Sequence, residues 1–242
     1  MTISTTAAAA PRSYRYYDFV MAAFVTVLIC SNFIGAAKQA TVTLPLIGAV
    51  TFGAGVLFFP ISYIFGDILT EVYGYGRDRR VVWAGFGGLA FATFMAWVVI
   101  SLPPAGSEFM KSYQANLEGV FGNSWRIAAG SMIAFWCGSF ANAYTLAKMK
   151  LLTNGKHLWS RTIGSTLVGE LIDSSLFYFI AFYGIWATGD LVKIIIAQYI
   201  LKTTWEIVMT PVTYKVVAFL KRKENEDYYD RGTNFNPFAV KV

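Results

Sequence analysis

Three pairs of ionisable residues sit at helical spacing inside apolar stretches of this sequence: Asp67 and Glu71, Glu170 and Asp173, and Lys202 and Glu206. Residues three or four apart share one helix face, so each pair presents both groups in one direction. A charge at the middle of a bilayer costs roughly 2.5–3.5 kcal/mol on insertion scales, and such side chains turn towards a protein interior or a wet cavity. Two further cations, Lys38 and Lys148, end other apolar stretches. Uncharged polar groups accompany them: Ser31, Asn32 and Gln39; Ser62 and Tyr63; Ser139 and Asn142; Thr166; Gln198.

These groups are suited to recognition. One carboxylate accepts two adjacent N–H donors in a bidentate pair, as the edge of a guanine-like ring presents them. Asn and Gln satisfy a neighbouring carbonyl or ring nitrogen. Phe58, Phe59, Tyr63, Trp136, Phe140, Tyr144 and Phe177 can stack on a planar heterocycle. Bond-making chemistry is disfavoured, because no nucleophile–base pair accompanies Asp67 or Glu170 as general acid or base. The single histidine, His157, and the absence of CxxC argue against a metal site. No GxxxxGK[ST] stretch exists, so nucleotide hydrolysis by that route is excluded. No cofactor is expected.

Depth along the chain groups the acids. Asp67 lies ten residues before Arg77, about 15 Å at helical rise; Glu170 and Asp173 lie about 13 and 18 Å beyond Arg161. Lys202 is about a dozen residues into its own stretch. The expectation is one mid-membrane cavity lined by Asp67, Glu170 and Asp173, with Asn142, Asn32, Tyr63 and Gln39 as further substrate contacts. Glu71, Lys148, Lys202 and Glu206 are read as structural or coupling charges. Glu71 is either a partner of Arg77 or Arg80 or a member of the site. Lys148 is expected to snorkel to the interface, and Lys202 and Glu206 to neutralise one another.

The elements that must hold these residues are six apolar runs: 17–37, 47–73, 81–102, 127–149, 162–187 and 191–220. Each reaches the ~20 residues a helix needs to cross ~30 Å of hydrocarbon. Of the 242 residues 56% are hydrophobic and 14% charged, well below the quarter that soluble domains carry. The net charge of +6 is split among short basic clusters rather than one patch, which disfavours nucleic acid as a partner. Arg12 and Arg15, then Arg77, Arg79 and Arg80, then Lys148, Lys150, Lys156 and Arg161, and finally Lys221, Arg222 and Lys223 occupy every second connection. The positive-inside rule then places both ends in the cytoplasm. The predicted fold is an all-α, polytopic membrane protein with six transmembrane helices: a cytoplasmic arm (1–16), a transmembrane domain (17–220) and a polar, flexible cytoplasmic tail (221–242). The 103–125 connection is expected outside, with a short interfacial helix. Gly53, Gly55 and Pro60 in the second run, and Pro211 in the sixth, imply either simple kinks or discontinuous helices. No cleavable signal peptide is recognisable. Ala36 and Ala40 give only a weak small-residue contact face for another chain, and a homodimer is among the expected assemblies.

At these same residues the chain resembles a known family. FFPISYIFGDILTEVYGYGRDRR (58–80), SNFIGAAKQ (31–39), GSFANAYTLAKMK (138–150) and RTIGSTLVGELIDSSLFYFIAFYG (161–184) are similar to segments of the queuosine precursor transporters, formerly grouped with vitamin-uptake proteins. The resemblance implies a multi-pass protein of the bacterial inner membrane. It implies import of a small planar purine-like substrate, a 7-deazaguanine such as the 7-cyano or 7-aminomethyl base or queuine, for salvage into tRNA modification. Asp67, Glu71, Lys148, Glu170 and Asp173 are the charged members of the matching segments. A secondary transporter, with one carboxylate as proton relay, is the leading expectation. The alternative is a membrane-embedded substrate-binding subunit of an ATP-driven vitamin or purine uptake complex.

Overall fold

Where the apolar stretches are free of internal breaks they form long helices. The computed structural model of the chain describes residues 13–35, 39–45, 48–122 and 125–239. The order is α1 (Tyr17–Cys30), a π-helical turn (Ser31–Gly35), β1 (Gln39–Leu44), β2 (Gly48–Gly53), a 3₁₀ turn (Ala54–Leu57), α2 (Phe59–Tyr73), α3 (Tyr75–Ser101), α4 (Glu108–Phe121), α5 (Trp125–Leu152), α6 (Leu158–Phe182) and α7 (Thr188–Glu224). Among the described residues three stretches, Tyr17–Ile34, Tyr75–Ser101 and Leu158–Phe182, are long and apolar enough to cross a membrane. Helices α5 and α7, 28 and 37 residues long, exceed the ~20-residue requirement in length.

The first two runs depart from the simple expectation. Ser31 Oγ and Asn32 Nδ2 both donate to the Leu28 carbonyl, at 2.8 and 2.9 Å. Such side-chain bonds compete with the helical ladder, and here the α-helix gives way to the π turn. Beyond it, β1 and β2 pair antiparallel, from Gln39 opposite Gly53 to Leu44 opposite Gly48. Thr41, Val42, Thr43, Val50 and Thr51 are β-branched and suit a strand. Ala40 therefore lies in a strand, which removes the helical contact face, and Ala36 and Lys38 fall outside the described residues. The second run is discontinuous. Pro60 falls in the first turn of α2, where a missing N–H costs nothing. The fold is all-helical as expected, with one hairpin, β1–β2, set between α1 and α2. Pro211, in contrast, is carried inside α7 without ending it, and α4 supplies the short helix expected in the 103–125 connection.

Helices α5 and α6 make the closest pairing, and two glycines permit it. A Cβ on Gly138 would lie 2.8 Å from Asp173 Cβ and 3.0 Å from the Gly169 carbonyl oxygen; one on Gly169 would lie 2.8 Å from Asn142 Cβ. Bare backbone at both positions lets the helices touch, as small residues do in membrane bundles. The main apolar core, including Phe24, Leu28, Leu69, Val72, Val81 and Phe135, fills the space among α1, α2, α3 and α5.

The tail is not a loose appendage. Tyr228 N–H donates to the Val72 carbonyl, and the Asp230 carboxylate accepts from Tyr75 N–H. Arg79 donates to the Asn234 and Asn236 carbonyls at 2.8 and 2.9 Å, and Trp83 Nε1 to Pro237 at 2.8 Å. Residues 226–238 form a strap across one end of the bundle, because the Gly74 turn and the start of α3 leave donors that need acceptors. Tyr14 donates to Glu226, and the backbone N–H groups of Arg15 and Tyr16 donate to Glu224, so the segment before α1 meets the end of α7 and the segment after it there.

Candidate functional site

A cavity of about 610 Å³ opens at the end of the bundle away from the strap, within the 300–1,000 Å³ range of small-molecule sites. Its walls come from the halves of α3, α5, α6 and α7 distant from the strap and from the π turn. Trp97, Trp125 and Phe177 provide aromatic surface, and Asn32, Asp173, Gln198 and Lys202 provide polar groups. The halt of α1 at Ser31 places Asn32 in this wall. Asn32 Oδ1 accepts a short hydrogen bond from the Ser131 hydroxyl, also in the wall.

The polar floor is a buried triad. Lys202 Nζ stands 2.7 Å from Glu170 Oε2 and 2.8 Å from Asp173 Oδ2. Lys202 therefore pairs across to α6, not along its own helix with Glu206; the expected Lys202–Glu206 neutralisation is corrected. The cause is geometric: two acids one turn apart on α6 face one ammonium. Glu206 is fully buried, and neither of its carboxylate oxygens has a hydrogen-bond partner among the described residues.

The remaining predicted residues lie behind this floor, towards the strap. Asp67 Oδ1 accepts from Asn142 Nδ2 at 2.7 Å and from the Ser165 hydroxyl at 3.4 Å, while Oδ2 has no partner among the described residues. Tyr63 is buried with its hydroxyl over the Gly138–Gly169 contact. Asp173, Lys202 and Asn32 thus line the cavity, whereas Asp67, Glu170, Asn142, Tyr63 and Glu206 form a buried layer that does not. Gln39 begins β1, and its side chain lies outside the described atoms. Of the aromatics expected to stack, Phe177 reaches the cavity; Trp136 and Phe140 instead pack with Trp83 and, for Trp136, Phe238 of the strap.

A second charged cluster closes the strap end. Glu71 receives Arg161 Nε and Nη2 at 2.8 Å each, Lys221 Nζ at 2.5 Å, and Lys150 at 3.5 Å. The pairing expected with Arg77 or Arg80 is corrected: Arg77 turns back to the Tyr73 carbonyl and the Tyr14 ring. Sequence reading missed Lys150, whose ammonium also reaches Asp227 at 2.6 Å and the Glu71 and Tyr228 carbonyls. The signal available was its spacing: Lys150 continues the buried Ala143, Leu146, Ala147 face of α5, whereas Lys148 points aside, its ammonium 4.1 Å from the Phe235 ring centroid. In the strap, burial alone would raise the Asp227 carboxyl, but hydrogen bonds from Lys150 and Lys221 outweigh it and hold it below its ordinary value. Burial pushes Asp230 up, against hydrogen bonds from Thr233 and Tyr75. Among the described residues no group of three or more His, Cys, Asp or Glu is placed to hold a metal ion.

Comparison with known proteins bears on the same elements. A family profile described as "Putative vitamin uptake transporter" matches residues 53–216, from the hairpin end to α7. The "Probable queuosine precursor transporter" of Bacillus subtilis (strain 168) is 30% identical over 207 residues, covering 85% of this chain and 86% of that protein. The "Queuosine precursor transporter" of Escherichia coli (strain K12) is 24% identical over 181 residues, 72% of this chain and 76% of that protein. No solved structure matches at a significant level.

Proposed function

Because this chain belongs to the vitamin uptake transporter family, and is a membrane transporter rather than an enzyme, we propose that it imports queuosine precursors. The substrates are 7-deazaguanine bases, such as 7-cyano-7-deazaguanine, 7-aminomethyl-7-deazaguanine or queuine, carried across the bacterial inner membrane for salvage into tRNA modification. In this reading the chain spans the membrane six times with both ends in the cytoplasm, the strap closes the cytoplasmic end, and the cavity faces outwards.

The observation that carries the proposal is the cavity floor. Asp173 is a carboxylate held at the base of an aromatic-walled space by one ammonium. A 7-deazaguanine offers two adjacent N–H donors to such a carboxylate and a flat ring to Phe177 or Trp97. Asn32 and Gln198 are placed in the wall to meet its remaining polar edge.

The test is uptake of labelled 7-cyano-7-deazaguanine by liposomes holding this protein and no other chain. Saturable uptake, competed by unlabelled base, is expected. Uptake that appears only when an ATPase chain is added would replace the proposal with a binding subunit of a larger complex.

A further inference from the structure

The buried layer beneath the cavity holds more acid than base. Asp67, Glu170, Asp173 and Glu206 are all buried, and the Lys202 ammonium meets two of them, Glu170 and Asp173. Lys202 is shared by Glu170 and Asp173, and Asp67 is held by Asn142 and Ser165. Glu206 has none of this support. It is wholly buried in α7, and both its oxygens are unpartnered among the described residues. The groups whose charge it meets are acids on the helices packed against it, Glu170 on α6 and Asp67 on α2. On its own helix Lys202 lies four residues earlier but is turned to α6.

Among the described residues an ionised carboxylate in this position would have no hydrogen-bond donor, no paired cation and two acidic neighbours, an arrangement that desolvation penalises. A neutral carboxyl removes the conflict. We propose that Glu206 holds a proton in this state and is the acid through which proton entry is coupled to import, an inference that rests on the transport reading above. The bond that changes is the carboxylic O–H. It breaks when the layer opens to the strap side, the proton passing to water there, and re-forms with a proton taken from cavity water. Lys202, on the same helix face with Cβ atoms about 5–6 Å apart, is placed to swing to the carboxylate left behind. No other bond is made or broken.

Two measurements test this, and only one depends on the substrate. Infrared spectra of the purified protein in lipid, compared with Glu206→Gln, should contain a protonated-carboxyl C=O band at neutral pH that the variant lacks. An unchanged band means that Glu206 is ionised and overturns the proposal, whatever the chain carries. In liposomes, an inward proton gradient should raise accumulation of labelled 7-cyano-7-deazaguanine several-fold in the native protein. Glu206→Gln, permanently neutral, should lose that response while still exchanging internal for external base. A variant that keeps the gradient response overturns the coupling role. If the native protein moves no 7-deazaguanine at all, the substrate reading fails while the infrared result still decides whether Glu206 holds its proton.

Discussion

Arg161 grips Glu71 at two points, Nε to Oε2 and Nη2 to Oε1, both at 2.8 Å and both sealed from solvent. The pair ties α6 to α2 at the end of the bundle that the strap covers. Arg161→Lys keeps the charge but cannot reproduce the planar two-point contact. Glu71→Gln is more severe, since it removes the carboxylate that Arg161 holds and leaves Lys150 and Lys221 to share Asp227, and breaking a buried pair from one side costs about 3–5 kcal/mol. Both variants are expected to lower the thermal unfolding midpoint of the detergent-purified protein, Glu71→Gln by more. Unaltered midpoints would mean that the cluster is not sealed in the folded protein.

Gly169 is the position where one methyl group should matter most. Its added Cβ would meet Asn142 Cβ at 2.8 Å and the Gly138 carbonyl at 3.0 Å, both rigid. Gly169→Ala should separate α5 from α6 at a cost of about 1–3 kcal/mol, and shift Asn142 away from Asp67. Gly189→Ala, where a Cβ would meet open space, is the control. Equal unfolding midpoints for the two variants would argue against the close crossing.

The strap links stability to pH through Asp227. Its folded-state pKa lies below the unfolded value, so its contribution is present above the ordinary carboxylate pKa and is lost as pH falls through the lowered folded value. Asp230, raised by burial, acts with the opposite sign, so the informative comparison is native protein against Asp227→Asn. The variant should be less stable near neutrality, and the two should converge in acid. Proteolysis after residue 224, followed across pH, reads strap release directly.

These charge clusters mark the limit of what the sequence disclosed. Asp67, Glu71, Glu170, Asp173, Lys202 and Glu206 were recognisable because charge inside apolar stretches has to turn inward, and all six are buried. Their partners were not recognisable. Closeness in sequence suggested Lys202 with Glu206 and Glu71 with Arg77 or Arg80, but the packing of α6 supplied Arg161 to Glu71 and the Glu170–Asp173 pair to Lys202. The hairpin was hidden because a short apolar β-branched run reads equally as helix. The strap was hidden because a polar tail carries no periodic signal; its order comes from carbonyls accepting bonds from Arg79 and Trp83.

Six spans with both ends inside is a proposal that reporter fusions test. Fusions after Gly76, Gly155 and Lys223 should all read cytoplasmic, and one at Ser112, in α4, external. A cytoplasmic signal at Ser112 would overturn the outward-facing cavity.

The last prediction concerns Asp173. Its Oδ2 contacts Lys202 and it lines the cavity, so under the proposed function it is the carboxylate that an incoming base should meet first. Asp173→Asn keeps the volume but replaces one acceptor oxygen with a donor, so one of the two N–H groups of a guanine-like edge goes unpaired in a dry site. That costs about 1–3 kcal/mol, or about fivefold to a hundredfold in affinity. Asp67→Asn, one layer deeper, should weaken binding less, because Asp67 is occupied by Asn142 and Ser165. Loss of affinity alone would not assign the contact, since Asp173→Asn also disturbs Lys202. The decisive measurement is a double cycle with an analogue lacking the 2-amino group. Native protein should bind the analogue more weakly than the parent base, and Asp173→Asn should bind the two nearly alike, because the carboxylate that distinguishes them is gone. A discrimination that survives unchanged in the variant would move the contact to another acceptor in the wall.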